Sequence, residues 1–102
     1  VDLAKLRDYC LNVSHPRGRH KARVFRSRLG LTTKDAELLR QALLNAAHHP
    51  QRELRPTEAD SFGQRFVLDF SMATPAGSAV IRSAWIILSG ESVLRLVTCY
   101  VL

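Results

Sequence analysis

The chain changes its hydrophobic period once, near the middle, and this switch limits the fold more than any composition figure does. Before Pro50 apolar residues recur every three to four positions; after Phe62 they alternate. Leu3, Leu6, Cys10 and Leu11 predict a short amphipathic helix. Asn12 to Gly18 breaks it, because Pro16 drives His15 toward an extended backbone and Gly18 permits a turn. A second helix is expected over 19–29, with Ala22, Phe25 and Leu29 on one face, Arg19, Arg23 and Arg26 on another, and Gly30 as its stop. Thr32 to Asp35 reads as a capping box with Thr32 as N-cap. It opens a third helix to about His48, with Ala36, Leu39, Leu43 and Leu44 or Ala47 inward and Pro50 as its end.

The second half reads as strands. Gln51 to Asp60 is polar, either a loop or a solvated edge strand. From Phe62 to Met72, Phe66, Leu68 and Phe70 share one face and Arg65, Asp69 and Ser71 the other. Turns at Thr74–Gly77 and Ser89–Ser92 separate this strand from one over 78–88 and a last one over 93–102. The expectation is one α+β domain over 1–102, with N-terminal helices packed on one face of a C-terminal antiparallel sheet.

Charge is concentrated. Of 15 Lys+Arg, six lie between Ser14 and Arg28, a stretch with no acid that also holds two of the four His. The nine basic residues elsewhere match the nine acidic ones, so the net charge of +6 comes from this segment. Such a local field points to a polyanionic partner, nucleic acid first. Hydrophobic residues at 46% and charged at 24% are ordinary for a globular chain and argue against disorder. No apolar run reaches the roughly 20 residues of a membrane span, and no signal-peptide pattern is visible. A cytoplasmic setting is therefore expected, in a producing or a target cell. Because the chain opens on Val1, it is also read as the excised, C-terminal part of a larger delivered protein. Cys10 and Cys99 show no zinc-ligand spacing and are read as buried free thiols in preference to a disulfide. His48 and His49, adjacent at a helix end, suit the helix dipole better than a metal.

The uncovered sheet face supplies the second set of candidates. Arg82 interrupts the apolar run Val80–Ile87, where it needs solvent, an anion, or a carboxylate such as Asp69 or Glu91. Thr98 and Tyr100 share parity on the last strand, while Trp85 is expected in the core. A guanidinium fork, a hydroxyl and a phenol all suit phosphate oxygens. His15 and His20 add imidazoles suited to proton transfer near neutral pH. RNA cleavage without a metal needs a base for the 2′-hydroxyl, cations for the phosphorane, and an acid for the leaving 5′-oxygen. The alternative is a module that binds nucleic acid or an acidic protein through the basic helix without catalysis.

Leu11-Asn12-x-x-His15-Pro16-x-Gly18-x-x-Lys21-Ala22-Arg23-x-Phe25, with Arg82-Ser83-Ala84-Trp85-Ile86-Ile87-x-x-Gly90 and Arg95-Leu96-Val97-Thr98-Cys99-Tyr100, resembles the paired motifs of a family of small bacterial domains. That family has no settled function and occurs alone or at the C-terminal end of larger proteins. The layout is also similar, more loosely, to the barnase/EndoU/colicin/RelE-like toxin ribonucleases. This second resemblance implies an endoribonuclease toxin acting on RNA, with tRNA as one candidate, needing no metal or cofactor. It implies an acidic antitoxin or immunity protein as partner, and no membrane. Carried onto this chain, it marks His15, Lys21, Arg82, Thr98 and Tyr100 as catalytic. Arg17, Arg19, His20, Arg23 and Arg26 then bind RNA. The last motif usually runs from Tyr into Pro, whereas here Val101 follows.

Overall fold

The computed structural model describes residues 1–102 and has the expected α+β architecture, three helices against a four-stranded antiparallel sheet. The first helix departs from the sequence reading. Only Leu3–Lys5 (α1) is α-helical, and Leu6–Cys10 continues as a π turn closed by the Leu11 N–H donating to the Leu6 carbonyl at 2.9 Å. The i, i+4, i+5 spacing of Leu6, Cys10 and Leu11 explains this. The wider turn brings all three inward, each at most 1% exposed.

The second helix, α2 (Arg19–Leu29), buries Ala22, Phe25 and Leu29 as its pattern requires. Gly30 ends it in the left-handed conformation at φ 67°, its N–H donating to the Arg26 carbonyl. Gly18 stands before it for a different reason, since a Cβ there would lie 2.7 Å from the Tyr9 carbonyl oxygen. The capping box at Thr32 forms with Asp35 and starts a short 3₁₀ turn, Thr33–Asp35, which leads into α3 (Ala36–His48). Of the inward positions expected on α3, Ala36, Leu39, Leu43 and Ala47 are buried. The Nδ1 of His48 contacts the Leu44 carbonyl at 2.8 Å, and Arg52 donates to that of Ala47; both satisfy carbonyls at the helix end.

The sheet has four strands in chain order: β1 (Arg55–Ala59), β2 (Gly63–Thr74), β3 (Gly77–Leu88) and β4 (Leu94–Val101). β1 resolves the ambiguity over Gln51–Asp60 as an edge strand, exposed at every residue. Register fixes the two faces. Leu68, Ser83 and Cys99 stand opposite one another and are all buried; Asp69, Arg82 and Tyr100 form the neighbouring row and are half-buried. Trp85, 2% exposed, lies in the core as expected. Its Nε1–H donates to the Ser83 hydroxyl at 2.8 Å, which donates to the Leu68 carbonyl at 2.7 Å. Ser83, 0% exposed, thereby both donates and accepts.

Two long-range hydrogen bonds seat the helices on the sheet. The Thr74 hydroxyl donates to the Leu29 carbonyl at 2.7 Å, pinning the end of α2 to the β2–β3 turn. Lys5 Nζ donates to the Leu96 and Val97 carbonyls at 3.4 and 3.2 Å, pinning α1 to β4.

Candidate functional site

The basic residues divide into two populations. The sheet arginines are neutralised: Arg55 and Arg82 by Asp69, Arg65 by Glu58 and Asp60, and Arg95 by Glu91. Arg17, Arg19, Lys21, Arg23, Arg26 and Arg28 take part in no ion pair. The largest group of unpaired cations therefore sits on α2 and the turn before it.

Arg82 is the most constrained cation. Its Nε and Nη2 donate to the two Asp69 oxygens at 2.9 and 2.8 Å, a bidentate pair, and the Tyr100 hydroxyl also lies in its reach. Asp69, with the Tyr100 oxygen as a second acceptor, raises the guanidinium pKa and keeps it charged; the same pair holds Asp69 below the usual carboxylate range. Tyr100 faces a second cation from the helix layer. Lys21 Nζ stands 4.7 Å from the centroid of the Tyr100 ring, a cation–π contact between α2 and β4. Lys21, Tyr100 and Arg82, separate in sequence, thus meet on one side of the molecule.

His15 is held differently. Its Nδ1 accepts the backbone N–H groups of Arg17 and Gly18, both at 3.1 Å, and its ring sits edge-on to Tyr9 with centroids 4.7 Å apart. Two donors on Nδ1 place the proton of a neutral ring on Nε2. His20 is exposed on α2 next to Lys21. Thr98 is not joined to this group. Its Oγ1 is buried without a hydrogen-bond partner. Ala84 pairs with Thr98 and Trp85 with Leu96, so the register slips at Val97, before Thr98, and Thr98 keeps the parity of Tyr100.

Arg23 and Arg26 line a second recess of about 450 Å³ with Val13 and Ser27. Arg26 continues into an adjoining one of about 400 Å³ that includes Ser14, Thr33 and Lys34. A groove of about 680 Å³ between α3 and β2 is lined by Leu38, Ala42, Phe70 and Met72 among others and contains none of the predicted site residues. No three His, Cys, Asp or Glu side chains gather where they could hold a metal ion. No helix is long and apolar enough to cross a membrane.

The sequence reading missed two features. One is the ring contact between Lys21 and Tyr100, which has no local signal. The other is that Cys10 and Cys99, both free and buried, share one core although they come from opposite ends of the chain. No curated protein and no solved structure matches the chain. The family model described as a domain of unknown function, DUF6883, matches residues 1–102, the whole length, and the protein belongs to that family.

Proposed function

We propose that this domain is a metal-independent endoribonuclease, of the toxin type, that cleaves RNA by transesterification. The observation that carries the reading is the junction of an unpaired basic helix with the Lys21–Tyr100–Arg82 group. A strand drawn to α2 by charge would bring a phosphate to a phenol flanked by two fixed cations. Lys21 and Arg82 then stabilise the phosphorane, and the Tyr100 hydroxyl donates toward a phosphate or leaving-group oxygen. His20, exposed and next to Lys21 in sequence, takes the 2′-hydroxyl proton. His15, with Nδ1 engaged by the turn, contributes its Nε2–H as a donor. An acidic antitoxin or immunity protein would be expected to cover the same charge.

The test is incubation of purified protein with total RNA in EDTA. Fragments ending in a 2′,3′-cyclic phosphate and a 5′-hydroxyl are expected. Tyr100→Phe keeps the ring under Lys21 but removes the hydroxyl, and should lower the rate at least about 100-fold. Intact RNA at high protein concentration across several tRNA pools would sink the reading. The bidentate engagement of Arg82 by Asp69 favours a second one, a binding module without chemistry. It predicts uncut RNA with affinity that falls steeply as salt rises.

A further inference from the structure

We propose that the outer edge of β2, over residues 69–73, is a docking surface for the same edge of a second copy of this chain. β2 runs from Gly63 to Thr74, but β1 pairs only with residues 64–67. Beyond Val67 that edge has no strand beside it. The turn at Pro75–Ala76 fixes which groups face outward. Thr74 and Gly77 pair across it, so even-numbered β2 residues bond to β3 and odd-numbered ones face away. Two bonds agree: the Ser83 hydroxyl reaches the Leu68 carbonyl from β3, and the Asp60 N–H reaches the Gly63 carbonyl from the other side. The N–H and C=O groups of Asp69, Ser71 and Ala73 therefore face outward, and no loop or turn backbone group bonds to them. The other free edges are guarded. β1 carries Pro56, charges at Arg55 and Glu58, and an irregular register. β4 has a bulge, and Lys5 occupies the Leu96 and Val97 carbonyls. The 69–73 stretch has no proline and no bulge, and its one charge, Asp69, is held by Arg55 and Arg82.

The occupant follows from the edge itself. Two such strands, antiparallel about a two-fold axis at Ser71, set Ser71 opposite Ser71 and Asp69 opposite Ala73, so no like charges meet. Phe70 and Met72 then lie on the helix face, beside the groove of about 680 Å³ between α3 and β2. Leu38, Ala42 and Ala46 line its α3 wall, and Leu38 is 52% exposed. Pairing continues the sheet through both copies and covers this apolar wall. Charge favours the arrangement as well. α2 packs on β3 and β4 while α3 packs on β2, so the two basic helices end on far sides of the pair. Glu53 lines the groove at the end where β1 stops, and the axis turns that end toward the β2–β3 turn of the other copy. Arg28 stands by that turn, its carbonyl oxygen 2.9 Å from where a Cβ on Gly77 would lie. Glu53 and Arg28 are both exposed and in no ion pair of their own chain. Arg52, next to Glu53, is drawn away to the Ala47 carbonyl.

Sedimentation equilibrium at physiological salt should give twice the chain mass for the wild type. Ser71→Pro removes an outward N–H, which an edge strand tolerates, and Ser71→Lys sets two ammonium groups face to face at the axis. Each should weaken association at least about 30-fold and leave the far-UV circular dichroism unchanged. Residues opposite each other in a bonded antiparallel pair have Cα atoms about 5.5 Å apart, within disulfide reach. Ser71→Cys should therefore form a covalent dimer in air, whereas Ala73→Cys, which faces Asp69, should not. Should Ser71→Pro fail to fold, Ser71→Lys decides the point. A wild-type monomer at millimolar concentration overturns the proposal and leaves the edge to a strand from another protein. Dimers that survive both Ser71 changes, or that cross-link equally through Ala73→Cys, overturn it too. None of these readouts involves RNA, so the proposal stands or falls independently of the nuclease reading.

Discussion

The Arg82 guanidinium spends Nε and Nη2 on Asp69 and turns what remains toward Tyr100. Asp69 is therefore the residue that aims the cation. Its pKa is lowered in the folded state, so the pair stabilises the fold wherever Asp69 is ionised in the unfolded chain, above about pH 4. That stability is lost as pH falls through the ordinary aspartate range toward the lowered folded value. Asp69→Asn should flatten this acid limb: urea midpoints measured from pH 6 down to 2.5 should fall less in the variant than in the wild type. Equal slopes would mean that the pair is not felt. The sequence left Asp69 and Glu91 both open as partners for Arg82. Register decided between them, because the two-residue turn at Pro75–Ala76 places Asp69 opposite Arg82, while Glu91 pairs with Arg95. A slip of one residue would have reversed every face, and a single sequence carries little information on that scale.

At the level of the element, α2 has two basic edges. At about 100° per residue, Lys21 and Arg23 stand roughly 160° apart on the helix. Lys21 meets Tyr100 on the β4 side, while Arg23 and Arg26 line the recess beside Val13. The apolar stripe of Ala22, Phe25 and Leu29 was readable from spacing, and so was the presence of arginines on another face. Which edge would look toward the sheet was not, because that depends on how Thr74 and Lys21 fix the rotation of the helix. The two edges should behave differently in kinetics. Arg23→Glu with Arg26→Glu should raise KM about tenfold or more on a labelled oligoribonucleotide and leave kcat nearly unchanged. Lys21→Met should lower kcat with a smaller change in KM. The reverse pattern would mean that phosphate chemistry belongs to the recess and not to Tyr100.

For the whole molecule, the separation of charge is the main property. Sheet arginines are cancelled and the α2 cations are not, so a polyanion should meet one field and not two. With six free cations on α2 and its leading turn, log affinity against log salt should slope at about −4 for a single strand. Filter binding from 50 to 300 mM salt, using Tyr100→Phe to prevent cleavage, measures it; a slope near −1 would remove α2 as the docking surface. The architecture followed from the switch of period, since that pattern allows few layer arrangements. The π turn, the bulge in β4 and the thiol pair did not, because each depends on contacts between distant parts of the chain.

Lys5 reaches the carbonyls of Leu96 and Val97, 91 and 92 positions further on, and this has a consequence for synthesis. Chains are made from the N-terminus, so the basic helix emerges long before the strand that gives Lys21 its tyrosine. A growing chain carries the charge but not the assembled group. Whatever chemistry the group performs begins only once β4 is in place.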